Sequence, residues 1–149
     1  MSYEIIKVIG SSVEPLRQAV TPRVVDALHH AHGEVTAKGL LDLVAEQKAQ
    51  LWLVYKELDR SLCAVAVTEV RIYPELSALL ITALSGVGID WWARALHDAF
   101  KEFCYEYGLK RMEAVGRKGF ERKLGPLGFQ PIYTVYVNEV DDEQVIRYN

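Results

Sequence analysis

The sequence is poor in cysteine, with Cys63 and Cys104 the only two among 149 residues. Two thiols make neither a disulfide scaffold nor a zinc ribbon, so an apolar core must hold the fold. No apolar run approaches the roughly 20 residues of a membrane span. The start, Met-Ser-Tyr-Glu-Ile-Ile-Lys, lacks the pattern of a signal peptide. Charge of one sign is lacking too: 17 basic against 20 acidic residues leave a net charge of −3. That balance excludes a generally cationic nucleic-acid binder, though not a local basic patch. Together these absences lead us to expect a soluble protein of a reducing, cytoplasmic compartment. What is present is an ordinary globular mixture, 50% hydrophobic and 25% charged, enough for a sizeable core. The length fits one domain over 1–149, with 141–149 an acidic turn or tail opened by Asp141-Asp142-Glu143.

Periodicity divides the chain into α and β elements without repeats. Tyr3–Ile9 alternates as a first strand, closed by Gly10-Ser11-Ser12. Ser12 is placed to cap a short helix with Pro15 in its first turn. Thr21-Pro22 repeats that device for a second helix, burying Val24, Val25 and Leu28 and stopping at Gly33. Leu40, Leu41, Val44 and Ala45 form the stripe of a third helix within 36–50. Three strands follow, over 51–56, 62–73 and 78–84, rich in branched and aromatic residues. The short polar link Glu57–Ser61 makes the first two an antiparallel hairpin. Ser85-Gly86-Val87-Gly88 then leads into a long helix over 90–107, marked by Trp92, Leu96, Phe100, Phe103 and Tyr107 and stopped by Gly108. A strand over 110–116, a short helix over 119–124 and a long final strand over 131–140 complete the reading.

This order, with the strand, glycine loop and helix of Ile81–Leu96 and the ending Leu124-Gly125-Pro126-Leu127-Gly128-Phe129, resembles the GNAT superfamily of acetyl-CoA-dependent N-acetyltransferases. The resemblance implies an α+β fold: a mixed, mostly antiparallel central sheet flanked by helices, with a glycine loop leading into the long helix. It implies acetyl-CoA as cofactor, held at Leu84, Ser85, Gly86, Val87, Gly88 and Ile89, with Arg117 on a phosphate. Glycines after a strand let backbone N–H groups turn toward an anion, and the following helix adds its positive dipole end. The pantetheine arm would lie where the strands at 78–84 and 110–116 splay apart. The acceptor amine, of a small molecule or a protein, would approach from the side of the early helices and final strand. Ala83 stands where the family usually carries Arg or Gln before its glycines. Leu124 stands where many members carry a proton-donating tyrosine, and the loop helix is about one turn longer.

Candidate chemistry is sparse. Glu69, interior to an otherwise apolar strand, is the candidate general base; the plainer reading is a surface ion pair with Arg71 on the same face. Tyr133, with Tyr105 and Tyr136, is the candidate acid in place of the missing tyrosine. His29, His30 and His32 beside Glu34 read as a solvent-facing cluster rather than a metal site, because a helix sets neighbours about 100° apart. His97 reads as surface or partly buried structure, and Cys104 as a small buried hydrophobe. Lys110, Arg111, Arg117, Lys118, Arg122 and Lys123 make the one strong charge asymmetry, either a solvated face or a contact for a phosphate or an acidic partner. Of the adjacent Trp91 and Trp92, one must be exposed or line a pocket. Two functions follow. One is an N-acetyltransferase. The other is a non-catalytic GNAT-fold binding or assembly module, like those encoded by tailed phages, in a bacterial host cytoplasm. Neither nucleic acid nor membrane is expected as partner, and the last strand could exchange or pair in a homodimer.

Overall fold

A computed structural model of the chain describes residues 2–29, 31, 33–116 and 118–140, with the backbone alone at Lys118. Five strands form one sheet in the order β1-β2-β3-β4-β5. These are β1 (Tyr3–Val8), β2 (Gln50–Lys56), β3 (Leu62–Ile72), β4 (Ser77–Gly86) and β5 (Arg111–Ala114). The first three pairings are antiparallel, and β4–β5 is parallel. That is the mixed, mostly antiparallel α+β sheet expected.

Each face of the sheet is covered by its own helices. On one face lie α1 (Val13–Ala27) and α2 (Ala37–Ala45), packing Val13, Val20, Val24, Leu40, Leu41 and Val44 onto Leu51, Leu53, Val65, Val67 and Ala83. On the other lies α3 (Ile89–Tyr107), whose Trp92, Leu96, Phe100 and Phe103 meet Trp52, Val54, Ala64, Ala66 and Leu79. Successive strand side chains point to opposite faces, so the alternating residues of β2 and β3 feed both cores. Thr36 caps α2 by accepting the Gly39 N–H at 3.0 Å. Among the described residues no helix is long and apolar enough to cross a membrane.

Three expectations are corrected. Thr21-Pro22 does not start a helix, because α1 runs unbroken from Val13 through Pro22 and ends at Ala27, short of Gly33. An interior proline costs about 3 kcal/mol. Burial of Val13, Val20 and Val24 along one face offsets it, and the Thr21 hydroxyl donates to the Arg17 carbonyl at 2.6 Å. The expected helix over 119–124 is a 3-10 turn, Lys118–Phe120, followed by α4 (Glu121–Leu124). The expected final strand over 131–140 is irregular and exposed, with no strand pairing among the described residues. A strand exists only with a partner, and β5, four residues long, pairs only with β4 there. Residues 141–149, with the expected acidic tail, lie outside the described residues.

Candidate functional site

Strands β4 and β5 start together and then part. Their parallel register covers Ala78–Ile81 against Arg111–Ala114. Beyond Ile81, β4 continues through Thr82–Gly86 while β5 has ended. Alternate backbone groups on that edge of β4 have no strand partner among the described residues. At the parting β4 carries a bulge: Thr68 stands opposite Ile81 and Val67 opposite Ala83, leaving Thr82 as the extra residue.

The bulge brings Thr82 to Glu69. The Thr82 hydroxyl donates to Glu69 Oε2 at 2.5 Å. Glu69 is half-buried on the face opposite α3, and no ion pair joins it to Arg71. In the same register row, across Leu80 of β4, Glu113 of β5 accepts from the Tyr73 hydroxyl at 2.7 Å and from Arg111 Nε at 2.9 Å. The hydrogen bond to Glu113 holds the Tyr73 phenol proton, raising that pKa above the ordinary tyrosine value.

Past the parting, β4 turns into α3 through Val87-Gly88 alone, a shorter loop than expected. Leu84, Ser85 and Gly86 are still strand, paired with Ala66, Val65 and Ala64. Gly86 is required by close approach: a Cβ there would stand 2.4 Å from Ala64 Cβ and 2.6 Å from the Cys63 carbonyl oxygen. Both polar groups of Val87 are used, its N–H by Cys63 O at 3.2 Å and its carbonyl by Trp92 Nε1 at 2.7 Å. Gly88 caps α3 with a left-handed φ of 72°. The first helical N–H groups, Ile89 and Asp90, have no intrahelical acceptor.

Of the adjacent tryptophans, Trp92 is buried and Trp91 is 71% exposed, its ring lying against Gly88. Asp90, a carboxylate at the dipole's positive end, is tied to Lys123 of α4 at 2.9 and 3.1 Å. Arg94, one turn on, donates to the Pro126 carbonyl at 3.2 Å. These two contacts clasp the segment after β5 onto the start of α3. Ala83, at the position of the family's Arg or Gln, is buried in the α1–α2 core. Arg117, His30 and His32 lie outside the described residues, as does the Lys118 side chain. Tyr133, Tyr136 and Tyr105 are exposed, and Tyr133 is near enough to Tyr73 to add to the raising of its pKa. Among the described residues no group of His, Cys, Asp and Glu is placed to hold a metal.

Sequence reading missed the place of His97. It is buried against an apolar recess of about 30 Å³ between β4, α3 and the 124–129 segment, beside Leu96, Leu127 and Phe129. Its Nδ1 is the one buried side-chain nitrogen or oxygen without a partner among the described residues. Asp98 Oδ1 stands 3.8 Å away, beyond hydrogen-bond reach. Burial first, and then the Arg94 charge, push its pKa below the ordinary histidine value. The unfolded chain therefore takes a proton before the folded one does as pH falls. Stability is expected to fall as pH drops through about 6.5, the unfolded value, and to level off below the folded pKa. Arg94 and Lys101 oppose that proton and Asp98 favours it. In His97→Leu this part of the pH dependence should vanish, as chemical denaturation from pH 8 to 5 would read; an unchanged slope would contradict it. Cys104, as expected, is buried, and burial raises its thiol pKa.

No family model matches the chain, and no curated protein sequence matches it. Solved structures do: 125 chains match it. A probable acetyltransferase superposes with a TM-score of 0.70 at 13% identity, covering 94% of this chain and 99% of that one. A predicted acetyltransferase from Clostridium acetobutylicum, crystallised with acetyl-CoA, gives 0.66 at 12%, covering 92% and 96%. An aminoglycoside acetyltransferase from an uncultured soil metagenomic sample gives 0.70 at 13%, covering 95% and 100%. The fold of this chain is that of GNAT acetyltransferases.

Proposed function

We propose that the protein is an acetyl-CoA-dependent N-acetyltransferase acting on a primary amine. One observation carries the reading: the parting of β4 from β5 leads directly into a glycine turn at the N-terminus of α3, so unpaired strand groups and unpaired helix N–H groups border one opening. Acetyl-CoA would be held there mainly by backbone groups, without a dedicated side chain. Its diphosphate would meet the N–H groups of Ile89 and Asp90 and the positive end of a 19-residue helix. Lys123 already neutralises Asp90, the one carboxylate in the first turn of α3, and Arg94 stands on the next turn. Alternate residues along Leu84–Gly86 would offer backbone amides to the pantetheine arm.

The cofactor supplies the thioester: as the amine nitrogen bonds to the acetyl carbon, the bond from that carbon to sulfur breaks. Glu69 takes the proton from the acceptor ammonium, directly or through a water, and the Thr82 hydroxyl fixes the orientation of its carboxylate. Free N–H groups along the β4 edge meet the oxygen on which negative charge builds. In this reading Tyr133, exposed and near Tyr73, is the acid that returns a proton to the thiolate.

A thermal-shift titration with acetyl-CoA, against free CoA and ATP, tests this. A ligand binding only the folded protein adds roughly 2.7 kcal/mol at 100 times its dissociation constant. A saturable rise in melting temperature specific to CoA compounds is expected, and none at millimolar acetyl-CoA would refute the reading.

A further inference from the structure

The sheet face opposite α3 carries charged residues in two rows that the register fixes. Glu69, Leu80 and Glu113 stand opposite one another across β3, β4 and β5. Arg71, Ala78 and Arg111 form the next row. That these side chains share a face follows from Val67 lying in the α1–α2 core and from the contacts of Tyr73 with Glu113 and Arg111. Within the rows, one acid and one base neutralise each other: Arg111 donates to Glu113 at 2.9 Å, and its guanidinium lies 5.4 Å from the Tyr73 ring centre.

The other two remain. Glu69 has a neutral hydroxyl as its partner. Arg71 has none among the described residues. By contrast Arg17, Arg23, Arg60, Arg94 and Arg111 each engage a carboxylate or carbonyl. Glu69 and Arg71 are two residues apart on β3, so their Cα atoms are about 6.7 Å apart with side chains on the same side. The bulge holds Glu69 toward Thr82 and away from Arg71, keeping a negative and a positive group separate on one surface.

We infer that the acceptor is an amine that also bears a carboxylate, a short amino acid, its ammonium facing Glu69 and its carboxylate held by Arg71. The inference rests on the acetyltransferase reading for Glu69 but adds the second contact. A planar guanidinium matches a carboxylate with two parallel hydrogen bonds, which neither a lysine nor a glutamine reproduces. A polycation would meet Glu69 only by placing another positive group against Arg71.

The test uses the full chain with glycine, β-alanine and γ-aminobutyrate, each against its carboxamide. Release of free CoA thiol gives turnover, and calorimetric titration gives binding in the presence of CoA. At least one acid is expected to surpass its amide by roughly tenfold to a hundredfold in kcat/KM, through KM. Arg71→Gln should erase that preference by raising KM for the acids to that of the amides, and Arg71→Lys should restore part of it. Equal use of acids and amides, or a preference that survives in Arg71→Gln, overturns the inference and leaves the acetyltransferase reading standing if thiol is released. Absence of both CoA binding and turnover refutes the acetyltransferase reading instead. Titration of the same acids and amides then decides this inference separately, and no Arg71-dependent preference overturns it.

Discussion

Replacing Trp92 by alanine is expected to lower the stability of the fold by about 3–5 kcal/mol, the range for emptying a buried aromatic site. That is a large part of the roughly 5–15 kcal/mol that holds a domain together. Trp92 is 1% exposed in the α3-side core, among Val54, Ala64, Leu96 and Phe100. Its indole N–H also donates to the Val87 carbonyl at 2.7 Å, across the turn that sets the start of α3. Trp92→Phe separates the two roles. It keeps most of the packing and loses the hydrogen bond, so stability should fall by only about 1–2 kcal/mol while acetyl-CoA binding weakens. Denaturant unfolding and the acetyl-CoA thermal shift read these effects. If Trp92→Phe binds acetyl-CoA as the wild type does, the turn does not depend on this bond.

The long helix was legible because its apolar residues recur at helical spacing and its ends are glycines; α3 spans 89–107 where 90–107 was expected. His97 escaped the same logic. Beside the stripe Trp92, Leu96, Phe100 and Phe103, the residues Ala93, His97, Phe100 and Cys104 form a second row of the same helix face, and a histidine in that row carries no apolar signal. The charged surface at Glu69 depends on longer-range facts. The pairing of Glu69 with Thr82 needs a bulge, and a bulge is a relation between two strands. One trace of it is in the sequence: Leu79 and Ile81 are two apart, but the next residue on the α3 side, Leu84, is three further on. A spacing of three within a strand breaks the period of two, and an inserted residue restores it. The parting of the sheet left no such trace, since it depends on where β5 stops pairing. Thr21-Pro22 misled for the opposite reason: the local signal for a helix start was strong, and burial along α1 overrode it.

Glu69→Gln is expected to lower kcat by roughly a hundredfold to ten-thousandfold, the usual contribution of a positioned general base, with a smaller rise in KM from the lost attraction for the acceptor ammonium. The substitution keeps the size of the side chain and an oxygen able to accept the Thr82 hydroxyl, so the fold should melt as the wild type does. What it removes is the group that accepts a proton. An amine acceptor is largely ammonium at neutral pH and carries no free lone pair to attack with. In the variant, deprotonation falls to solvent, so activity should rise steeply with pH and approach the wild type near the amine's own pKa. That pH rescue separates loss of a base from loss of shape, because a distorted site would be slow at every pH. A variant with near wild-type kcat at pH 7 would remove Glu69 from the mechanism, and Tyr73 and Glu113, one strand pair away, would be the next groups to substitute.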